Sequence, residues 1–99
     1  MKLTRLMAGE LDAKQVNKEV RLCGWVAKRR DLGGLIFVDL RDISGLVQIV
    51  ISPDSEAIFK EAETLRSEFV IEVCGVVQAR PAEGINRHMK TGDIEVYAR

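Results

Sequence analysis

The 99-residue chain balances 15 Lys and Arg against 15 Asp and Glu, so its total charge does not announce a polyanionic partner. A chain of this length forms one domain that buries about 60–70% of its unfolded surface, with little room for both a core and an elaborate catalytic pocket. It has no apolar run long enough to span a membrane and no N-terminal secretion-type segment, which points to a cytoplasmic protein without a membrane partner.

Residues 20–30 (VRLCGWVAKRR) read as a first strand, with Gly24 suggesting a bend or bulge and three cations, Lys28, Arg29 and Arg30, at its end. Asp31-Leu32-Gly33-Gly34 reads as a hairpin loop into a second strand, residues 35–41. There Ile36, Val38 and Leu40 share one side, and Leu35, Phe37, Asp39 and Arg41 the other. Ile43-Ser44-Gly45 turns the chain into a third strand, residues 46–51, with Val47, Ile49 and Ile51 on one face and Gln48 opposite. The period then changes. Ile58, Phe59, Ala62 and Leu65 recur at helical spacing between Pro53 and Arg66. Ser52 is expected to cap that helix, with Pro53 at its first position and Asp54 and Glu56 in its first turn. Residues 52–72 hold six acids against two bases, which leaves the rest of the chain basic. Residues 69–79 return to strand alternation. A loop with Pro81, Gly84 and Gly92 leads to a last strand, residues 94–98, with Ile94 and Val96 inward and Asp93, Glu95 and Tyr97 outward.

Three strands, a helix and two strands is the order of an OB-fold, a five-stranded Greek-key barrel with its helix between strands 3 and 4. A generic α+β domain is the alternative. On a barrel, Arg30, Phe37, Gln48 and Glu95 point outward, while Arg80, Asn86 and Arg87 fall on or near the loop before the last strand. One ring can stack a splayed base, cations can follow phosphates, and Gln and Glu can read base edges. Each residue also has a plainer reading. Phe37 fits a strand buried on both faces, and Lys28–Arg30 fits a solvated charge run. Gln48 and Glu95 are ordinary outward polar residues, Trp25 is a packing residue and His88 a loop residue. Catalytic and metal chemistry are not expected. No nucleotide-cradling or zinc-protease motif is present, Cys23 and Cys74 lie far apart, and His88 is the only histidine. The two cysteines read as small buried side chains in a reducing compartment.

The stretches LCGWVAKRRDLGGLIFVDLRDISGLVQIVISP, LRSEFVIEVCGVVQAR and INRHMKTGDIEV together resemble the N-terminal anticodon-binding domain of bacterial-type aspartyl-tRNA synthetases, over nearly all of residues 7–97. The resemblance implies a single OB-fold domain over residues 1–99 that grips the anticodon loop of aspartate tRNA, which reads GUC. It places Phe37 where the middle base stacks and Arg30, Gln48 and Glu95 where base edges are read. It places Arg80, Asn86 and Arg87 on the loop that approaches the anticodon, and lets the cations of Lys28 and Arg29 hold phosphates. Two positions depart from the family's pattern. Gln78 stands where an arginine is frequent, and Gly84 where aspartate-specific members often carry asparagine, so the asparagine anticodon GUU stays open as well. ATP, Mg and a homodimer interface are implied only for the family's catalytic domain. The chain is therefore expected to be an excised domain or a stand-alone relative. An OB domain used for protein interaction, or for single-stranded nucleic acid in general, is the competing expectation.

Overall fold

The computed structural model describes residues 4–99, and strands dominate it. In chain order these are β1 (Thr4–Arg5), β2 (Glu19–Leu32), β3 (Leu35–Asp42), β4 (Gly45–Ile51), β5 (Val70–Ala79) and β6 (Ile94–Ala98), with one helix, α1 (Glu56–Ala62), between β4 and β5. β2, β3 and β4 form an antiparallel meander. β4 then pairs in parallel with β6, β6 pairs antiparallel with β5, and β5 returns to the first half of β2. The five strands therefore close on themselves in the expected Greek-key barrel, with the helix in the expected interval. β1 adds a short parallel pairing to β2.

Closure depends on β2, which pairs with β5 through Trp25 and with β3 from Trp25 onward. The register shifts between Val26 and Lys28, so the extra residue is Ala27. The bulge expected near Gly24 thus lies slightly further on. Gly24 instead allows close approach, since a Cβ there would collide with the carbonyl oxygen of Arg41. At the far end β2 runs two residues past its expected limit. Only Gly33 and Gly34 make the turn, with φ of 62° and 82°, a left-handed pair that favours glycine in two-residue hairpins.

Alternation fills the barrel with Val20, Leu22, Val26, Ile36, Val38, Leu40, Val47, Ile49, Ile51, Val77, Ile94 and Val96, all buried. Helix α1 covers the end beside the β2–β3 turn by burying Ala62 and packing Ile58 and Phe59 against the core, joined by Leu65 just after it. It is shorter than its periodicity predicts. Ser52 does not cap it: its hydroxyl accepts from the Asp54 amide at 3.2 Å, making a separate turn, and the helix begins only after Ser55. Cys23 and Cys74 are free and half-buried rather than fully buried. No helix among the described residues is long and apolar enough to cross a membrane.

The opposite end is stopped by residues 8–11, where Ala8 and Leu11 enter the core. Asp42 fastens this segment. One carboxylate oxygen accepts from the Ala8 amide at 2.7 Å and the other from the Ser44 amide at 2.8 Å, while the Ser44 hydroxyl accepts from the Gly9 amide. Burial pushes the Asp42 carboxyl up, but bonds from Ser44, Ala8 and Gly45 outweigh it and hold the group below its ordinary value. A depressed folded pKa adds stability above the unfolded pKa, and that stability is lost as pH falls through the folded value. Asp42→Ala should therefore cost about 1–3 kcal/mol at neutral pH. In urea titrations the gap between wild type and variant should narrow on acidification. A gap independent of pH contradicts the fastening role.

Candidate nucleic-acid interface

Facing residues on paired strands project from the same side of a sheet, so the register lays out the outer face in rows. Lys28 faces Asp39, Asp39 faces Gln48, and Glu95 faces Gln78. The parallel pairing of Ile49 with Val96 and Val50 with Tyr97 puts Gln48 beside Glu95 and completes the row. One step along, Arg30, Phe37, Val50 and Tyr97 make a second row. Arg30, Phe37, Gln48 and Glu95, taken from separate strands of the sequence, thus meet on one face.

They also touch. Arg30 Nη2 donates to Asp39 Oδ1 and to Gln48 Oε1, both at 3.1 Å, and its guanidinium lies 5.8 Å from the centre of the Phe37 ring, within cation–π range. Gln48 Nε2 in turn donates to Glu95 Oε1 at 2.9 Å. With the Gln48 carbonyl engaged by Arg30 and its amide by Glu95, neither group can turn without breaking a bond. Gln48 and Glu95 are almost buried, at 8% and 4% exposure, because the central strands flank them. Phe37 is partly exposed and stands outside the apolar core cluster, which sets aside the reading of it as a core residue. Glu95 also lines a recess with Gln78, Tyr97, Ser52, Ser55 and Pro81. Burial, then the charge of Glu95 and a hydrogen bond to it, push the Tyr97 phenol above its ordinary value.

Other expected site residues are placed differently. The cation run does not act as a unit, because side chains on a strand alternate. Lys28 and Arg30 share the outer face, whereas Arg29 belongs to the inward row with Val38. Its guanidinium pairs with Asp31 at 2.8 Å and donates to the carbonyl oxygens of Glu63 and Leu65 at 2.6 and 3.2 Å, tying the β2–β3 hairpin to the end of α1. The hydrogen bonds and charge of Asp31 hold Arg29 above its ordinary pKa. Arg29 therefore clamps the hairpin within the fold.

Arg80 is likewise tied into the fold. It is only 8% exposed, with Nε donating to the Ile94 carbonyl at 2.8 Å and Nη1 to the Gly84 carbonyl at 3.2 Å. Burial lowers its pKa, and the charges of Glu95 and Asp39 push back against that shift. Arg80 folds residues 81–93 against the barrel rim. Asn86 shapes the same loop, accepting from the His88 amide through Oδ1 and donating its own amide to the Gly92 carbonyl. Arg87 and Gly84 are exposed on it. A Cβ at Gly84 would meet nothing closer than Pro81 Cδ at 3.8 Å, so a side chain fits there. Three features were missed in the sequence: Asp39 as the partner of Arg30, Tyr97 beside the recess, and Thr91, whose hydroxyl donates to the Leu46 carbonyl at 2.7 Å. Outward parity alone could have signalled the first two. Among the described residues, no three His, Cys, Asp or Glu side chains form a metal-binding group.

A family model described as an OB-fold nucleic acid binding domain matches residues 20–99. Aspartate–tRNA ligase of Oceanobacillus iheyensis is 59% identical over 95 residues, which is 95% of this chain and 16% of that protein. The crystal structure of asparaginyl-tRNA synthetase from Pyrococcus horikoshii with asparaginyl-adenylate superposes with a TM-score of 0.81 at 29% identity, covering 98% of this chain and 21% of that one. Aspartyl tRNA synthetase from Entamoeba histolytica, at 20% identity and a TM-score of 0.83 over 97% of this chain and 20% of that one, shares the fold. The chain thus spans less than a quarter of the length of these relatives.

Proposed function

The chain belongs to the family of OB-fold nucleic acid binding domains, and from that membership we propose that it grips the anticodon loop of aspartate tRNA on behalf of an aspartate–tRNA ligase. The observation that carries the reading is the bonded chain from Arg30 through Gln48 to Glu95 beside the Phe37 ring. A splayed base needs an aromatic surface and fixed partners for its edge. Phe37 supplies the surface for the middle base of GUC. Arg30 only donates and suits a base carbonyl, ionised Glu95 only accepts and suits a base amino or imino group, and Gln48 does both. Because these groups already hold one another, little side-chain ordering remains when RNA binds. Asp39 and Glu95 put negative charge beside Gln48 within the row, which directs phosphates to the cations at its β2 edge and leaves bases to face inward.

Phosphate contact falls in this reading to Lys28 on β2 and Arg87 on the loop, with Arg30 beside them. Gln78, beside Glu95, meets a base edge rather than the backbone. Gly84 supplies no side chain where an asparagine could reach the third base, which leaves both GUC and GUU within range. Aminoacylation with ATP and Mg, and the homodimer contact, are assigned to the parts of the longer relatives that this chain does not span. None of these 99 residues is given a step in that reaction.

The reading is tested by salt. For a single-stranded target, log K should fall with log salt by about 0.7 per neutralised phosphate, so two or three contacts give a slope of roughly −1.4 to −2. A slope near zero for a GUC anticodon stem-loop would favour a protein-interaction role instead.

A further inference from the structure

The outward row that contains Phe37 holds a second aromatic ring. Phe37 faces Val50 across β3 and β4, and Val50 is aligned with Tyr97 across β4 and β6. Two strand spacings separate the rings at the backbone, about 10 Å. Val50 between them is 1% exposed and supplies an apolar floor, whereas Tyr97 is 38% exposed. The core does not need this ring, since Tyr97 is neither in the buried cluster nor packed against it. What the ring does border is the recess that also holds Gln78, Glu95 and Pro81. The Glu95 carboxylate accepts from Gln48 through Oε1 and, with about four lone-pair sites in all, has room for a further donor, and the Gln78 amide both donates and accepts. A flat apolar surface beside an acceptor and an amide matches the face and edge of a nucleobase.

We propose that Tyr97 is a second stacking platform for RNA, taking the base of a nucleotide adjacent to the one on Phe37, while Gln78 and Glu95 meet that base's edge. The inference rests on the RNA-binding reading and extends it to a residue and a recess outside the Arg30–Phe37 end of the face. It makes the ring, not the hydroxyl, the binding element.

The experiment compares Tyr97→Leu and Tyr97→Phe on a GUC anticodon stem-loop, and on versions made abasic at each anticodon position in turn. Tyr97→Leu should weaken binding by about 5- to 150-fold, the range of one lost base stack, with Tyr97→Phe within about 3-fold of wild type. Both should melt near the wild-type temperature. The Tyr97→Leu loss should disappear when the first or the third base is missing and persist when the middle one is missing. Binding by Tyr97→Leu within about 2-fold of wild type, equal losses in the Leu and Phe variants, or a loss that survives all three abasic changes would each overturn the proposal. Phe37→Ala separates the two levels. If it leaves affinity unchanged, the RNA reading itself fails; if it weakens binding while Tyr97→Leu does not, only the second platform fails.

Discussion

Phe37→Ala is expected to weaken binding of a GUC anticodon stem-loop by about 1–3 kcal/mol, because the base loses its stacking surface. The ring is partly exposed, lies outside the core cluster, and has Arg30 as its cationic neighbour. The fold should therefore lose well under the roughly 3–5 kcal/mol that removal of a core Phe costs. Isothermal titration and thermal melting of the same protein separate the two effects. Weak RNA binding with a nearly unchanged melting temperature is the expected pair. A large fall in melting temperature with unchanged affinity would return Phe37 to the core and remove it from the interface.

Arg80→Leu should act on the fold first. The substitution keeps much of the side-chain volume but removes the donors to the Ile94 and Gly84 carbonyls. Hydrogen bonds from a charged group contribute about 1.5–3 kcal/mol, and the carbonyls left behind are partly or wholly buried. A stability loss of that size should appear in urea titration. RNA affinity should also fall, because residues 81–93 lose their tie to the rim, but the salt slope should stay where it was. If Arg80 neutralised a phosphate, its removal would make the slope shallower by about 0.7. That shallower slope, with stability intact, contradicts the role given to Arg80.

The contrast between Phe37 and Arg80 marks what the sequence could convey. Strand parity is local, so Phe37, Gln48 and Glu95 could be placed outward from alternation alone, and the change of period at Ile58 revealed the helix. Parity also held the information that Arg29 and Arg30 face opposite ways. The run of three cations hid it, because like charges in a row suggest one patch. The fate of Arg80 was not legible, since its partners are the carbonyls of Gly84 and Ile94, which only the folding-back of residues 81–93 brings to it. The early helix start expected at Pro53 failed for a different reason. Ser52 can satisfy a nearby amide in a turn as well as in a helix cap. The N-terminal stop at residues 8–11 has no repeating apolar period, and its anchor is a carboxylate 34 residues away. Parity placed Arg30, Phe37, Gln48 and Glu95 outward, but the cross-links, Arg30 to Asp39 and Gln48 to Glu95, required the register.

The most direct measurement titrates the 99-residue protein with three anticodon stem-loops that differ only in the loop: GUC, GUU and one with the middle uracil replaced by a purine. A base contact that is lost costs about 1–3 kcal/mol, or roughly 5- to 150-fold in affinity. Binding of GUC should be tight, the difference between GUC and GUU smaller, and a loss in that range should follow when the middle base is changed. Equal affinity for all three would contradict this, leaving a surface that holds RNA, if at all, by its backbone alone.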